Sequence, residues 1–216
     1  MERLTVDQVL DAGLDDWRLL AQGLHARFRT GDMATGVEFV AAVVEAANAA
    51  DHHPDVTLAY PRVDLRLVTH DAGNAVTTLD VDLARRISDL AAERGLAASP
   101  SEVVQLELGL DTADAAAIRP FWSALLTGDA GNVDGDDVVD PTGRVPLVWF
   151  QPTAPHDTPR QRFHLDVWVP HDEAEARIAA AVDAGGEVVD DREAPSFWVL
   201  ADAEGNRACV CTSLQR

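Results

Sequence analysis

The chain has 216 residues, of which 47% are hydrophobic and 25% charged, a composition typical of a globular protein and long enough for two small domains. Its formal net charge of -20 argues against nucleic acid and membranes as partners, because such a surface repels phosphate groups and anionic lipid. No apolar run approaches the ~20 residues of a membrane-spanning helix, and the acidic N-terminus lacks the pattern of a secretion signal. The two cysteines, Cys209 and Cys211, are too few for a disulfide framework. We therefore expect a cytoplasmic protein.

The first half of the chain predicts, in order, a helix, a strand, a helix, two strands and a helix. Thr5 is a candidate N-cap for the first helix, and alternating apolar residues at 24–29 indicate a half-buried strand. Asp32 precedes a long helix with one predicted apolar stripe: Val40, Val43, Val44 and Ala47. Pro54 ends that helix because it cannot continue helical geometry.

Two strands follow at 56–60 and 63–68, and a helix beginning at Thr77 or Thr78 comes after them. Its predicted inward residues are Leu83, Ile87, Leu90 and Ala91. The Ala/Ser/Pro-rich stretch at 92–101 is typical of a linker. We therefore expect an α+β domain over 1–97, with helices on one face of an antiparallel sheet, and a second domain over 98–216.

The second domain contains a faint internal duplication. The segments at 103–111 and 163–170 each predict a strand followed by a helix, and each later reaches a D-x-x-G turn before a final strand. The turns run from Asp140 to Gly143 and from Asp202 to Gly205. A repeat of this length is too long for most solenoids, so we expect two βαβββ modules forming a cupped mixed sheet.

Three histidines stand where secondary structure alone does not require them. His52 and His53 lie at a helix end before Pro54, and His70 follows the second of the two strands. Two short strands joined by a tight turn return the chain to its starting edge, so the three imidazoles are expected to line one cleft. Imidazole exchanges protons near neutral pH, and a pair in opposite protonation states can serve as general acid and base.

Two other interpretations of the histidines stay open. His52 and His53 can instead cap a helix C-terminus, where a cationic imidazole is favoured, with His70 as a loop residue. Zinc binding is less favoured, because adjacent histidines are less apt as ligands than histidines spaced by two or four residues.

The pattern around these histidines resembles the pterin-4a-carbinolamine dehydratase family over residues 3–94. The matching segments are His52-His53-Pro54, Tyr60-Pro61-Arg62-Val63, Thr69-His70, Gly73 and Val76-Thr77-Thr78-Leu79-Asp80-Val81-Asp82-Leu83-Ala84. Trp17 and Phe28 also occupy positions where that family has such residues. The chain departs from the family pattern at Val56, at Asn48, where an acidic residue is common, and at Gly73-Asn74, where the family has a glycine pair.

The resemblance implies dehydration of a 4a-hydroxytetrahydropterin to the quinonoid dihydropterin, without a metal or cofactor. His52, His53 and His70 would be catalytic, and residues beside them would bind the substrate: Asp51, Pro54, Asp55, Thr69, Asp71 and Asp80. Asp80 also fits a helix capping box with Thr77, and Asp51 and Asp55 can either hold imidazoles or be solvated. Family members commonly associate, so a homo-oligomer is expected.

Residues 101–214 resemble the glyoxalase-like branch of the vicinal oxygen chelate superfamily. The resemblance is carried by the paired βαβββ modules, Trp149-Phe150-Gln151, the strand at 163–170 and the turn at 202–206. Its implied metal positions are Gln105, Gln151, His164 and Cys209, a donor set that is poor for an oxygen-preferring metal. Trp122, Trp149, Trp168 and Trp198 either line an apolar cup for a planar ring or, for most of them, fill the core.

Three functions follow from these resemblances. The first is a dehydratase with an accessory second domain. The second is a regulatory module, since the dehydratase family includes dimerisation partners of transcription factors. The third places a lyase, dioxygenase-like or ligand-binding activity in the second domain. The presence of all three histidines favours the dehydratase.

Overall fold

The structure is a computed structural model that describes residues 2–103, 107–155, 165–169, 174–211 and 214. It divides into two compact units, Met1–Gln105 and Leu106–Arg216. Each unit has its own hydrophobic core, and each is described separately below.

The first unit is built from helices and antiparallel strands. Its elements are α1 (Val6–Asp11), β1 (Trp17–Leu20), β2 (Gly23–Arg29), α2 (Met33–Ala50), β3 (Asp55–Ala59), β4 (Arg62–Leu67), α3 (Thr78–Glu93) and β5 (Ala97–Ala98). The strand order is β1-β2-β4-β3, with β5 paired to β2, and all of these pairs are antiparallel.

The sheet of the first unit has an apolar face and a charged face, as its strand alternation requires. Leu24, Ala26 and Phe28 of β2 face inward with Val63, Leu65 and Leu67 of β4, and all are at most 2% exposed. They pack into one core with the buried side chains of α2 and α3. The predicted α+β class, with helices on one face of an antiparallel sheet, is confirmed.

The helices begin where the sequence predicts, but the buried face of α2 differs from the predicted stripe. Thr5, Asp32 and Thr77 are the N-caps of α1, α2 and α3. The buried residues of α2 are Gly36, Phe39, Val43 and Ala47. Val44 was predicted on this face and is 45% exposed, because one residue of α-helix turns the side chain by about 100°.

Two strands were missed by the sequence analysis. The four residues of β1 are too few to show a clear alternation of apolar and polar side chains, so the sequence indicates only that they belong to the core. β5 lies within the predicted linker at 92–101 and pairs with Phe28 and Arg29. Because β5 joins the first sheet, the division between the units falls after Gln105 rather than near residue 98.

The second unit consists of two βαβββ modules. The first is β6 (Glu107–Thr112), α4 (Ala115–Thr127), β7 (Val133–Asp134), β8 (Asp137–Val138) and β9 (Leu147–Pro152). The second is β10 (Leu165–Trp168), α5 (Ala174–Asp183), β11 (Glu187–Asp190), β12 (Phe197–Ala201) and β13 (Arg207–Cys211). Over the described residues their strand orders are equivalent, β6-β9-β8-β7 and β10-β13-β12-β11, and in each the first and last strands are parallel. The predicted pair of modules is confirmed, with one sheet per module.

Helix α2 is long and apolar enough to span a membrane by length and composition alone. It is the one such helix among the residues that the structure describes. Phe39, Val43 and Ala47 are nevertheless fully enclosed in the core of the first unit. This burial is the pattern of a helix that packs against a sheet.

Candidate functional site

His52 is turned toward the protein interior by the end of α2. The helix stops at Asp51, whose left-handed conformation (φ 49°) reverses the chain, and the backbone N–H of His52 then donates to the carbonyl of Ala47 at 3.1 Å. The ring reaches Asp80 of α3, with 2.7 Å between Nε2 and Oδ1. Because a carboxylate only accepts, Nε2 of His52 carries a proton and Nδ1 is the remaining ring nitrogen.

Asp80 is the centre of a buried hydrogen-bond network. Its side chain is fully enclosed. Its second oxygen, Oδ2, accepts from the Thr69 hydroxyl at 2.7 Å and from the Thr77 backbone N–H at 2.7 Å. The Thr77 hydroxyl lies 2.8 Å from that of Thr69 and 3.2 Å from Oδ2. Asp80 therefore completes the capping box of α3 with Thr77, one of the two roles that the sequence left open, and it also binds His52.

His53 and Asn48 form a hydrogen-bonded pair at the end of α2. Asn48 lies in the last turn of the helix, and its Oδ1 is 3.0 Å from Nε2 of His53. Both side chains are exposed. The imidazole of His53 is therefore held in place while remaining open to solvent.

His70 and Asn74 form a second pair of the same kind. His70 begins a single 3-10 turn, His70–Ala72, which ends at Gly73 in the left-handed region (φ 70°). Asn74 follows in the same region (φ 54°), and its Oδ1 lies 2.8 Å from Nδ1 of His70. The ring of His70 is exposed.

The Asp80 network places the two histidine-bearing segments side by side. One oxygen of Asp80 binds His52, which precedes His53, and the other binds Thr69, which precedes His70. The structure thus joins, through one carboxylate, the helix end with its two histidines and the strand end with the third. The residue bound directly by Asp80 on one side is the buried His52, and the exposed His53 and His70 are the chain neighbours of His52 and Thr69.

The other predicted substrate contacts lie around this junction in different environments. Asp51 and Asp71 are exposed, and Pro54 is half-buried. Asp55 pairs with Arg66 at 3.1 Å on the charged face of the sheet, so its carboxylate is engaged there rather than with an imidazole. Thr69, predicted to bind substrate, is 5% exposed and uses its hydroxyl on Asp80, which is a positioning contact.

His25 is a further histidine that the sequence analysis did not single out. It lies on β2 beside Arg66, and its Nε2 is buried without a hydrogen-bond partner. Burial, followed by the positive charge of Arg66, lowers the pKa of His25 to about 4, although Asp55 opposes the shift. This imidazole is neutral at physiological pH.

Two of the four implied metal positions of the second unit, Gln105 and His164, lie outside the described residues. Gln151 is exposed on β9, and Cys209 is half-buried on β13. Among the residues that the structure describes, no group of three or more histidine, cysteine or acidic side chains is placed to hold a metal ion. A neutral amide and a thiol do not fit an oxygen-preferring metal, and no chemical step is derived through one.

The tryptophans of the second unit are divided between core and surface. Trp122 is 2% exposed and donates its indole N–H to Asp202 at 3.0 Å. Trp198 packs against the same core, which confirms the core interpretation for these two residues. Trp149 is 38% exposed, with its ring against Gly109. The side chain of Trp168 lies outside the described part of the chain.

The contacts of Asn48 and Asn74 are those that the sequence did not reveal, whereas Thr77 already stood out as the partner of Asp80 in a capping box. The two asparagines are visible in the sequence only as departures from a family pattern. Each lies within five residues of the histidine that it binds.

The fold and the site together define an α+β domain with a carboxylate-linked histidine cluster, followed by a domain of paired βαβββ modules. A family model described as pterin 4 alpha carbinolamine dehydratase matches residues 2–90, and one described as a glyoxalase-like domain matches residues 107–211. Through its first unit, the chain belongs to the pterin-4-alpha-carbinolamine dehydratase family. Both resemblances stated from the sequence are confirmed.

Similar proteins agree with the first of these matches. A Streptomyces coelicolor protein, provisionally named as a pterin-4-alpha-carbinolamine dehydratase, is 44% identical over 39% of this chain and 83% of its own length. A Metallosphaera sedula protein with the same provisional name is 38% identical over 42% of this chain and 95% of its own length.

Two solved structures are similar to separate parts of the chain. A transcriptional coactivator/pterin dehydratase from Brucella melitensis is 35% identical, covering 42% of this chain and 99% of its own, with a TM-score of 0.40. A glyoxalase/bleomycin resistance protein from Catenulispora acidiphila is 16% identical, covering 51% of this chain and 98% of its own, with a TM-score of 0.34.

Proposed function

We propose that the first unit dehydrates a 4a-hydroxytetrahydropterin to the quinonoid dihydropterin and water by histidine general acid–base catalysis. Family membership supports the substrate class. The observation that carries the proposal is the Asp80 carboxylate, which joins His52 to the segment that presents His70. Convergence of the three imidazoles on one cleft is part of the proposal, and the link through Asp80 between their two segments supports it.

The reaction needs one group that removes a proton and one that supplies a proton. A base takes the proton from the nitrogen beside the carbinol carbon, and that electron pair forms the carbon–nitrogen double bond. The carbon–oxygen bond breaks, and the departing hydroxyl takes a proton from an acid to leave as water. Imidazoles in opposite protonation states perform both transfers near neutral pH.

The three histidines differ in how they can share this work. His52 is buried and hydrogen-bonded to the carboxylate of Asp80. His53 and His70 are exposed and paired with neutral amides. We assign His52 as the carboxylate-bound member of the set and the two exposed rings as the groups that meet the pterin, with Asp51, Pro54 and Asp71 as flanking contacts.

The test is a dehydration assay with a 4a-hydroxytetrahydropterin generated in situ. The purified full chain should accelerate the loss of the substrate absorbance. His70→Ala should lower kcat by about 100-fold, as expected for loss of a general acid or base, and a chelator should leave the rate unchanged. Turnover that stops with the chelator but survives the histidine change would refute this proposal and favour an activity in the second unit.

The exposed indole of Trp149 favours a ligand-binding role for the second unit. Its ring lies against Gly109, where an added Cβ would stand 2.9 Å from the indole, so the glycine permits this ring position. We propose that the glyoxalase-like unit is an accessory domain that stacks a planar ring on Trp149. Binding of an oxidised pterin, followed by tryptophan fluorescence, should weaken in Trp149→Ala, and unchanged binding would remove this role.

An exposed apolar stripe on α2 supports self-association. Met33, Val37 and Val44 are 44%, 53% and 45% exposed and share one side of the helix, about 90° around the axis from the buried residues. We propose that this stripe contacts a second copy of the chain, because contiguous exposed apolar surface commonly marks an interface. Sedimentation should show a homo-oligomer that Val37→Glu dissociates; a monomeric parent protein would contradict the proposal.

A further inference from the structure

We propose that Asn48 and Asn74 are positioning residues that fix which ring nitrogen of His53 and of His70 carries the proton. The tautomer assignment rests on geometry alone, whereas its catalytic consequence rests on the dehydratase function proposed above. The two asparagines act on the two exposed imidazoles, and His52 has a carboxylate partner instead. The site therefore contains one charged and two neutral imidazole partners.

The pair at the end of α2 selects the tautomer of His53 that has its proton on Nε2. The Oδ1 atom of Asn48 faces that nitrogen at 3.0 Å. An amide oxygen only accepts hydrogen bonds, so a neutral His53 ring bonded to it has N–H at Nε2 and a lone pair at Nδ1. Nδ1 is then the ring nitrogen able to accept a proton.

The pair in the 3-10 turn selects the other tautomer for His70. Oδ1 of Asn74 lies 2.8 Å from Nδ1 of His70, so the neutral ring has N–H at Nδ1 and a lone pair at Nε2. This is the tautomer that histidine free in water disfavours. His70 therefore provides the sharper test, because without Asn74 its ring should return to the Nε2–H form.

A neutral partner has a chemical consequence that a carboxylate would not have. A carboxylate beside an imidazole adds a negative charge that interacts with the ring. An amide orients the ring and selects its tautomer without adding that charge. Asn48 and Asn74 thus orient the rings of His53 and His70 and define, for each neutral ring, which nitrogen has the lone pair.

Both asparagines offer the same group to an exposed ring. Asn48 lies in the last turn of α2, and Asn74 follows the 3-10 turn that begins at His70. Two separate segments therefore each supply an amide oxygen to a histidine.

The backbone at these positions allows clean variants. Asn74 has φ 54°, and asparagine, aspartate and glycine all tolerate the left-handed region. Asn74→Gly therefore removes the amide and keeps the turn, and Asn74→Asp keeps an acceptor oxygen. Asn48 lies on the exposed side of α2, where Asn48→Ala preserves the helix.

The deciding experiment records 15N–1H correlations of the imidazole nitrogens in the labelled full chain at a pH where the rings are neutral. We expect Nδ1–H for His70 and Nε2–H for His53. Asn74→Gly should convert His70 to the Nε2–H form, and Asn74→Asp should keep it at Nδ1–H. Glu45→Ala, an exposed change one turn earlier on α2, is the matched control and should alter neither spectrum.

Kinetics then separate this inference from the proposed function. Asn74→Gly should lower kcat about tenfold with KM within about twofold, since a wrongly oriented base impairs proton transfer more than binding. Asn74→Asp should recover more of the rate than glycine does. An Nε2–H ring at His70 in the parent protein, or spectra unchanged by Asn74→Gly, overturns the inference whatever the activity. The predicted spectra in a chain that does not dehydrate pterin would uphold the positioning and refute the function.

Discussion

The two units each bury an aspartate that accepts several hydrogen bonds, yet the two aspartates serve different ends. Asp80 of the first unit is fully enclosed, and Asp202 of the second is 4% exposed. Both accept from backbone N–H groups: Asp80 from Thr77, and Asp202 from Glu204 and Asn206. In their backbone hydrogen bonds the two aspartates are therefore alike.

The difference lies in the side chain that each carboxylate holds. The side chains that donate to Asp202 are the indole of Trp122 and the amide of Asn206, and both residues are buried. Asp80 accepts from His52, whose neighbour His53 is exposed, and from Thr69, whose neighbour His70 is exposed. A buried carboxylate becomes part of a reactive site when its partners lead to titratable groups at the surface. Four expected outcomes test this contrast, beginning with the largest.

Replacing His52 should have the largest effect on activity. His52→Gln removes the ring that Asp80 holds, and we expect kcat to decrease by about 100-fold or more, because general acid–base groups contribute on this scale. Single-turnover and steady-state dehydration rates measure the effect. Gln151→Ala and Cys209→Ser in the second unit are the controls and should change the rate less than about twofold. If either control lowered the dehydration rate as much as His52→Gln does, the activity could not be assigned to the first unit alone.

Gly186 offers a probe of the second core with no predicted role in chemistry. A Cβ at this position would stand 2.0 Å from Cδ2 of Phe121, which is fully buried, and 3.0 Å from the carbonyl of Ala181. Gly186→Ala should therefore lower the free energy of unfolding by about 3 kcal/mol, the cost of an overpacked core. Denaturant titration followed by tryptophan emission measures the change. Dehydration at 25 °C should persist, and its loss would tie the activity to the second unit.

His25 should make the stability of the first unit depend on pH. Its folded pKa of about 4 lies below the ordinary 6.5, so the unfolded chain binds more protons between those values and stability is lost as the pH falls through that window. We expect a loss on the order of 2 kcal/mol between pH 7 and pH 4 beyond that of His25→Gln. Denaturant midpoints at both pH values give the comparison, and parallel losses in the two proteins would show that His25 remains solvated.

The sequence predicted those parts of the molecule that depend on local pattern. N-caps at Thr5, Asp32 and Thr77 and the alternation of β2 and β4 follow from single-residue preferences and side-chain period. The duplication in the second unit was visible because each module repeats its elements in the same order. The three histidines could be singled out because their residue type and their spacing are read directly from the sequence, whatever the pairing of the strands.

What the sequence could not give was the partner of each polar side chain. Both β1 and β5 depend on pairing with β2, which no local period reveals. The capping box of Asp80 with Thr77 is visible in the sequence, but only the folded position of His52 shows that the same carboxylate binds an imidazole. Hydrogen bonds between segments 28 residues apart are set by tertiary structure, so spacing alone does not assign them.

Thr69 provides the smallest and most selective test, because its hydroxyl reaches the histidine only through Asp80. Thr69→Val keeps the shape of the side chain and removes the 2.7 Å hydrogen bond to Oδ2. We expect kcat to decrease about tenfold with KM nearly unchanged, as for a residue that orients a proton-transfer group without touching substrate. Steady-state rates over a range of substrate concentrations separate the two parameters.

Thr69→Ser supplies the matched control, since it restores the donor and should recover most of the rate. A rise in KM with unchanged kcat would instead mean that Thr69 contacts the pterin, as the sequence alone first indicated. A loss in both variants would mean that packing of the buried Thr69 methyl group matters more than its hydroxyl. Recovery by serine alone would show that a buried network, closed to solvent, governs the reactivity of the imidazoles exposed beside it.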